Sequence, residues 1–283
     1  GAAYLLPDGR GFFLGSSGHN ALYTPSGNTA PGTWAAAADI PGPSGTPDAA
    51  SAMMVNGNVL LAASDLPTSS EHFPSPTRFY EYDYTTNSFT AVGAPGGGTT
   101  SPVPSYYTNM LDLPDGTVLF VNQGSSQYYE YAPGSGPLLA GKPTVSNVFR
   151  ISCDTFMATG TLFNGITEGA AYGDDWQMST NYPIIRLTSG ANVYYCRTTN
   201  WNSTGVMRGT LLDSTMFGLP AGLAPGTYNR EVVVNGNPSA AFSINTNLTI
   251  APATSSVCQG ENDTLSASWS GGSWSSANAG IAA

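Results

Sequence analysis

The residues of this chain that could do chemistry are few. Asp174 and Asp175 are adjacent carboxylates just ahead of an apolar run that begins at Ile184. In a strand such neighbours point to opposite faces, whereas glycoside hydrolysis needs two carboxyls converging across a cleft. The pair reads as a hydrogen-bonded turn, since Asp favours turns. Carboxylates also bind calcium, but no DxDxDG pattern is present. The two histidines, His19 and His72, sit in predicted loops and nothing near them completes a triad. Tyr106, Tyr107, Tyr128, Tyr129 and Tyr131 crowd into one repeat unit. Most should pack in a core, with Tyr106, Tyr107 and Tyr129 left as rings on which a sugar could stack. Trp201 reads as core or rim. "GAPGGGTT" at 93–100 lacks the lysine and helix of a phosphate loop.

The elements that must position these residues are strands. Only 9% of the 283 residues are charged, Gly (34) and Pro (21) are abundant, and aromatics reach 11%. Such turn-rich, aromatic-rich composition without helical periodicity predicts an all-β protein. A formal net charge of −10, with Lys142 the sole lysine, argues against nucleic acid as a partner. No apolar run approaches the roughly 20 residues that cross a bilayer as a helix, so no membrane insertion is expected. The lysine-poor composition favours a secreted or cell-surface protein. The cysteines, Cys153, Cys196 and Cys258, have no metal spacing. Cys153 and Cys196 lie on predicted strands of one domain, 43 residues apart, and are expected to form a disulfide. Cys258 is left unpaired or bonded to residues beyond Ala283.

A repeat organises the first half. "LPDGRGFFLG" at Leu6–Gly15 returns as "LPDGTVLFVN" at Leu113–Asn122, with "MVNGNVLLAAS" at Met54–Ser64 between them. The central glycines, Gly9, Gly57 and Gly116, recur 48 and 59 residues apart, near the kelch period. Each unit reads as strand, Asp-Gly or Asn-Gly turn, strand, with a third strand after it. "GTWAAAADI" and "SFTAVGA" supply fourth strands to the first two units, and the third lacks an obvious one. Residues 1–135 are therefore expected to be about three blades, the C-terminal part of a larger kelch propeller. Residues 136–143 read as a linker. Seven or eight short strands over 144–251 predict an Ig-like β-sandwich. They include "TVSNVFRIS", "TFMATGTLF", "YPIIRLT", "NVYYCRT", "GVMRGTLL" and "GTYNREVVVNG". Residues 252–283 read as the beginning of another Ig-like repeat.

The blades together with "NGITEGAAYGDDWQMSTNYPIIRL" and "VYYCRTTNWNSTGVM" resemble the C-terminal half of galactose-oxidase-like kelch proteins. There a propeller precedes an IPT/TIG-type Ig-like domain. The tail from Val257 resembles the repeated Ig-like modules of large Bacteroidota surface proteins. The oxidases of this family hold one copper with two tyrosines and two histidines. One tyrosine and one histidine are adjacent on the strand entering an LPDG turn. The matching positions here are Tyr106 and Tyr107, so a tyrosine stands where the family has histidine. No histidine follows His72, which removes the second imidazole. The expectation is a protein without cofactor or metal. Its function would be that of a non-enzymatic structural or adhesive module of a large multi-domain surface or filament protein. Its partners would be itself, a neighbouring surface protein or glycans. Two alternatives remain: a carbohydrate-binding propeller, and a copper radical oxidase with ligands in further sequence. "DST" at 213–215 and "DTL" at 263–265 resemble the O-glycosylation signal of exported Bacteroidota proteins, which marks Ser214 and Thr264. The competing reading is that both are turn sequences.

Overall fold

The computed structural model describes residues 1–152, 154–169, 181–246, 250–251, 258 and 264–267. It is all-β, with six antiparallel sheets, two short 3-10 turns and no α-helix among the described residues. The first three sheets are meanders. The first holds β1 (Ala3–Leu5), β2 (Gly11–Phe13), β3 (Ala21–Thr24) and β4 (Thr33–Ala36). The second holds β5 (Ser44–Gly45), β6 (Ser51–Met53), β7 (Val59–Asp65), β8 (Arg78–Asp83) and β9 (Ser88–Val92), with β5 and β6 both paired to β7. The third has β10 (Thr108–Asp112), β11 (Val118–Asn122) and β12 (Tyr128–Tyr131), and no fourth strand.

The repeated motif makes the same turn three times. Gly9 N–H donates to Leu6 O at 2.9 Å, Gly57 to Met54 O at 2.9 Å and Gly116 to Leu113 O at 3.0 Å. These glycines have φ of 85°, 86° and 92°. The preceding Asp8, Asn56 and Asp115 do not share the positive φ. Each loop is thus a three-residue connection closed by a left-handed glycine, not a two-residue turn. The Asp or Asn side chain accepts the N–H two residues on: Arg10 at 3.1 Å, Asn58 at 3.0 Å and Thr117 at 3.1 Å.

The meanders stack face against face. Phe12 lies on Tyr82 with centroids 3.9 Å apart, in a core shared by the first and second meanders. Phe79 meets Phe120 edge-on at 5.4 Å in a core shared by the second and third. Strand alternation makes the pattern regular. The third residue after the turn glycine faces the following meander: Phe12 and Leu60 are buried, and Leu119 is only half-buried. The fourth faces the preceding meander: Leu61 and Phe120 are 0% and 3% exposed, but Phe13 is 38% exposed. The stack therefore ends on two apolar faces that no described residue covers. One carries Phe13, Tyr23 and Trp34, whose rings lie 5.0 Å apart. The other carries Leu111, Leu119, Val121 and Tyr128.

Beyond the meanders two sheets share one core. One is β13 (Thr144–Arg150), β14 (Thr155–Thr161), β19 (Asp213–Gly218) and β18 (Thr198–Thr199). The other joins β17 (Asn192–Cys196), β16 (Ile184–Ser189) and β20 (Thr227–Val234), with β21 (Asn237–Pro238) and β22 (Phe242–Asn245) both on β20. Phe156, Phe163, Ile185, Leu187, Phe217 and Val232 fill the space between them. Residues 205–212, expected as a strand, are a loop. Met207 and Gly209 take φ of 55° and 62°, and Arg208 turns back to pair with Asp213 at 2.9 Å.

The two regions are docked. β15 (Glu168–Gly169), between β14 and β16, pairs with β1 through Tyr4–Gly169 and Leu5–Glu168. The expected linker is held at both sides: Leu138 N–H donates to Val55 O at 3.1 Å, and Asn237 Nδ2 to Leu138 O at 2.7 Å. The β20–β21 turn presses on the third meander's turn, so a Cβ on Gly236 would lie 2.5 Å from Gly116 Cα. In the segment from 252, β24 (Ser266–Ala267) pairs with β23 (Ile250–Ala251).

Candidate functional site

β6 touches both β10 and β15, the strand paired with β1. This brings three polar side chains together. Tyr4 Oη donates to Ser51 Oγ at 2.5 Å. Tyr4 is 3% exposed, and burial, then the nearby Asp112 charge, raise its pKa. Asp112 Oδ1 is sealed from solvent and has no hydrogen-bond partner among the described residues. Desolvation pushes its carboxyl up to about 7. At neutral pH this group can hold or release one proton. Among the described residues neither hydroxyl donates a hydrogen bond to a base. The sequence reading missed Asp112, although a signal existed. It lies four residues before the turn glycine, where the other two repeats have Leu5 and Met53.

The tyrosines singled out by sequence separate into two places. Tyr106 and Tyr107 form a 3-10 turn that enters β10, each 37% exposed, with centroids 4.5 Å apart. Phe73, from the β7–β8 loop, meets Tyr106 at 4.7 Å. The Tyr107 hydrogen bond raises the Tyr106 phenol, with burial and the Glu71 charge adding to it. Tyr129 is not part of this group. It lies on β12 against Phe120, where a Cβ on Gly96 would come within 2.9 Å of its hydroxyl. The turn that opens β10 and the outer strand of the same meander cannot present one ring cluster. Phe73 joins it instead, from a loop whose conformation no periodicity announces.

This donor set does not fit the copper centre that the family resemblance implies. Tyr106 and Tyr107 offer two phenols. His72 and His19 are exposed in loops, and His19 Nδ1 lies 3.0 Å from Asp39 Oδ1. Among the described residues no three His, Cys, Asp or Glu side chains converge. Copper(II) favours imidazole nitrogen, which this cluster does not place beside the phenols.

The remaining candidates spread over the two-sheet region. Trp201 is 39% exposed, stacks on Tyr182 at 5.6 Å and donates Nε1–H to Thr198 Oγ1 at 2.9 Å, so it belongs to the rim. Cys196 is a free thiol at 2% exposure, and burial pushes its pKa up to about 12. Its expected disulfide partner Cys153 lies outside the described residues, as do Asp174 and Asp175. Cys258 is free and exposed. Ser214 is in strand β19, not in a turn, because Asp213 and Thr215 on either side point into the core. Thr264 is exposed. Neither a scan against protein-family models nor a search of curated proteins finds a match to this chain.

Proposed function

We propose that this chain is a non-enzymatic structural or adhesive module of a large secreted or cell-surface protein. In this reading the three meanders are consecutive kelch-type propeller blades. Residues 144–251 are an IPT/TIG-like Ig sandwich, and 252–283 open a further Ig-like repeat. One observation carries it: positions buried between meanders inside the stack are open at both ends. Phe13 is the repeat equivalent of Leu61 and Phe120, and Leu119 that of Phe12 and Leu60. Such faces meet other β-sheets, which is the behaviour of a repeat stack. Its partners are further blades, a second copy or a neighbouring surface protein. The test is association of the chain in solution. Sedimentation and binding of an apolar dye should both fall in Phe13→Glu and Leu119→Glu variants whose melting temperatures are retained. A wild-type chain that is monomeric and binds no dye would overturn the reading.

A second reading, carbohydrate binding, is favoured by the Phe73–Tyr106–Tyr107 cluster, whose two exposed tyrosine rings offer faces on which a sugar could stack. A glycan array probed with wild-type, Tyr106→Ala and Tyr107→Ala protein tests it. The cluster has no role if the variants bind as the wild type does.

A further inference from the structure

The cations of this chain are few, and four of the arginines sit in ion pairs: Arg10 with Asp8, Arg78 with Asp65, Arg186 with Glu231 and Arg208 with Asp213. Arg230 is different. It is on β20, on the side that carries Tyr228 and Val232 into the core, and is 6% exposed. Its guanidinium has no hydrogen-bond or ion-pair partner among the described residues, and Nε is fully sealed. Desolvation lowers its pKa to about 10, so it remains charged at neutral pH. Its guanidinium lies over the ring of Phe242, 4.0 Å from Cζ to centroid. A buried charge with no counter-charge is costly, and an aromatic face compensates it only in part.

Phe242 is also a wall of an open pocket of about 390 Å3. The pocket lies between the Leu139–Val145 segment and Ala240–Phe242, and Lys142 lines it. No ion pair involves Lys142 among the described residues. Two of the chain's few positive charges thus flank one concavity, one at its surface and one behind its aromatic wall. The size is within the range of small-ligand sites. A shift in strand register between Val145 and Asn147 bends β13 beside it, as bulges do where a strand edge is re-aimed.

We propose that this pocket binds a carboxylated sugar. Its carboxylate pairs with Arg230 once the half-buried Phe242 ring swings aside, and Lys142 holds the anion at the mouth. The alanines Ala240 and Ala241 and the displaced ring give the sugar an apolar face to lie on. An arginine is suited to this because its planar fork meets a carboxylate with two hydrogen bonds. The site is remote from the Phe73–Tyr106–Tyr107 cluster and does not depend on that cluster binding glycans.

The experiment is titration of the intact chain with galacturonate oligomers and, in parallel, with neutral galactose oligomers of the same length, followed by NMR shifts and melting temperature. The acidic oligomer should bind and raise the melting temperature, and the neutral one should do neither. Arg230→Met should weaken binding at least tenfold while leaving the free protein as stable or more so. Lys142→Gln, at an accessible side chain, should weaken it several-fold with no change in melting temperature. Equal response to acidic and neutral oligomers would overturn the proposal. So would no response to either, or undiminished binding by both variants.

Discussion

In the stacked meanders, a residue's burial depends on which meander carries it; in the two-sheet region it depends on which side of the strand it occupies. Phe12 and Leu119 hold the same place in their repeats, yet the first is 0% exposed and the second is half-buried. In β14 every second residue is buried from Phe156 to Gly160, because the opposite sheet covers the whole face. A stack of repeats buries each unit only through its neighbours and always ends on two open faces. A pair of sheets closes on itself. Charge follows the same division. The ion pairs of the stack, Asp8–Arg10 and Asp65–Arg78, are partly exposed, whereas the two-sheet region seals Asp213 at 1% exposure.

The largest effect should separate equivalent positions of the stack. Phe12→Ala and Phe120→Ala each remove a ring between meanders and should cost about 3–5 kcal/mol. Phe13→Ala and Leu119→Ala, at the open faces, should each cost less than about 1 kcal/mol. Denaturant unfolding of the four variants measures the difference. If Phe13→Ala costs as much as Phe12→Ala, the end face is already covered in solution.

The next effect is in the closed region. Asp213 Oδ2 accepts the Phe163 N–H at 2.9 Å, and Oδ1 lies 2.9 Å from Arg208 Nε. Asp213→Ala leaves the Phe163 N–H without its acceptor and Arg208 without its counter-charge, and should cost about 3 kcal/mol. Asp213→Leu combined with Arg208→Met should recover much of it, because apolar side chains of similar volume avoid the stranded charge. Equal losses in the single and double variants would show that the Phe163 contact carries the effect.

The third acts through pH. Burial raises Asp112 from 3.8 to about 7 in the folded state. The folded chain then binds the proton more tightly than the unfolded one. Stability is greatest below about pH 4 for this group and falls as pH rises towards 7, where the loss levels off. The slope is at most about 1.4 kcal/mol per pH unit. Asp112→Leu, which copies Leu5 of the first repeat, should remove this slope. Melting curves of both proteins between pH 4 and 8 measure it, and parallel curves would sink the assignment.

The stack was legible in the sequence because one motif repeats. Three Leu-Pro-Asp-Gly or Val-Asn-Gly-Asn turns announced three hairpins, whereas which residues after each glycine face a neighbour came from the packing. The fourth strands at Trp34 and Phe89 followed from the same count. The longer strands of the two-sheet region were legible in the sequence, but the short β15 and β21 were not, and 205–212 misled. There Leu211 and Leu212 imitate a strand, but two positive φ values and the Arg208–Asp213 pair hold a loop. The sites were less legible, since they depend on contacts between distant segments. Tyr106 and Tyr107 were found by their neighbourhood in sequence, but Phe73 reaches them from a loop about 30 residues away. Arg230 stood in an ordinary strand pattern, and only the absence of a partner around it makes it distinctive.

The smallest effect concerns Ser214, and it sets a paired strand position against an exposed one. Ser214 is half-buried on β19, a strand with neighbours on both sides, and its backbone N–H is held by Asn202 Oδ1 at 2.8 Å. Its hydroxyl is on the outer side of the sheet, so Ser214→Ala should change stability by less than about 0.5 kcal/mol. A modifying enzyme must read the motif as an extended segment. At 213–215 it meets an aspartate sealed against Arg208 and a threonine in the core. Thr264 is exposed. In protein taken from its native host, glycopeptide mass spectrometry should therefore find sugar at Thr264 and a bare hydroxyl at Ser214. Sugar at Ser214 would mean that modification precedes folding of the two-sheet region. Bare hydroxyls at both would remove the glycosylation reading, leaving Asp213 with a purely structural role in its strand.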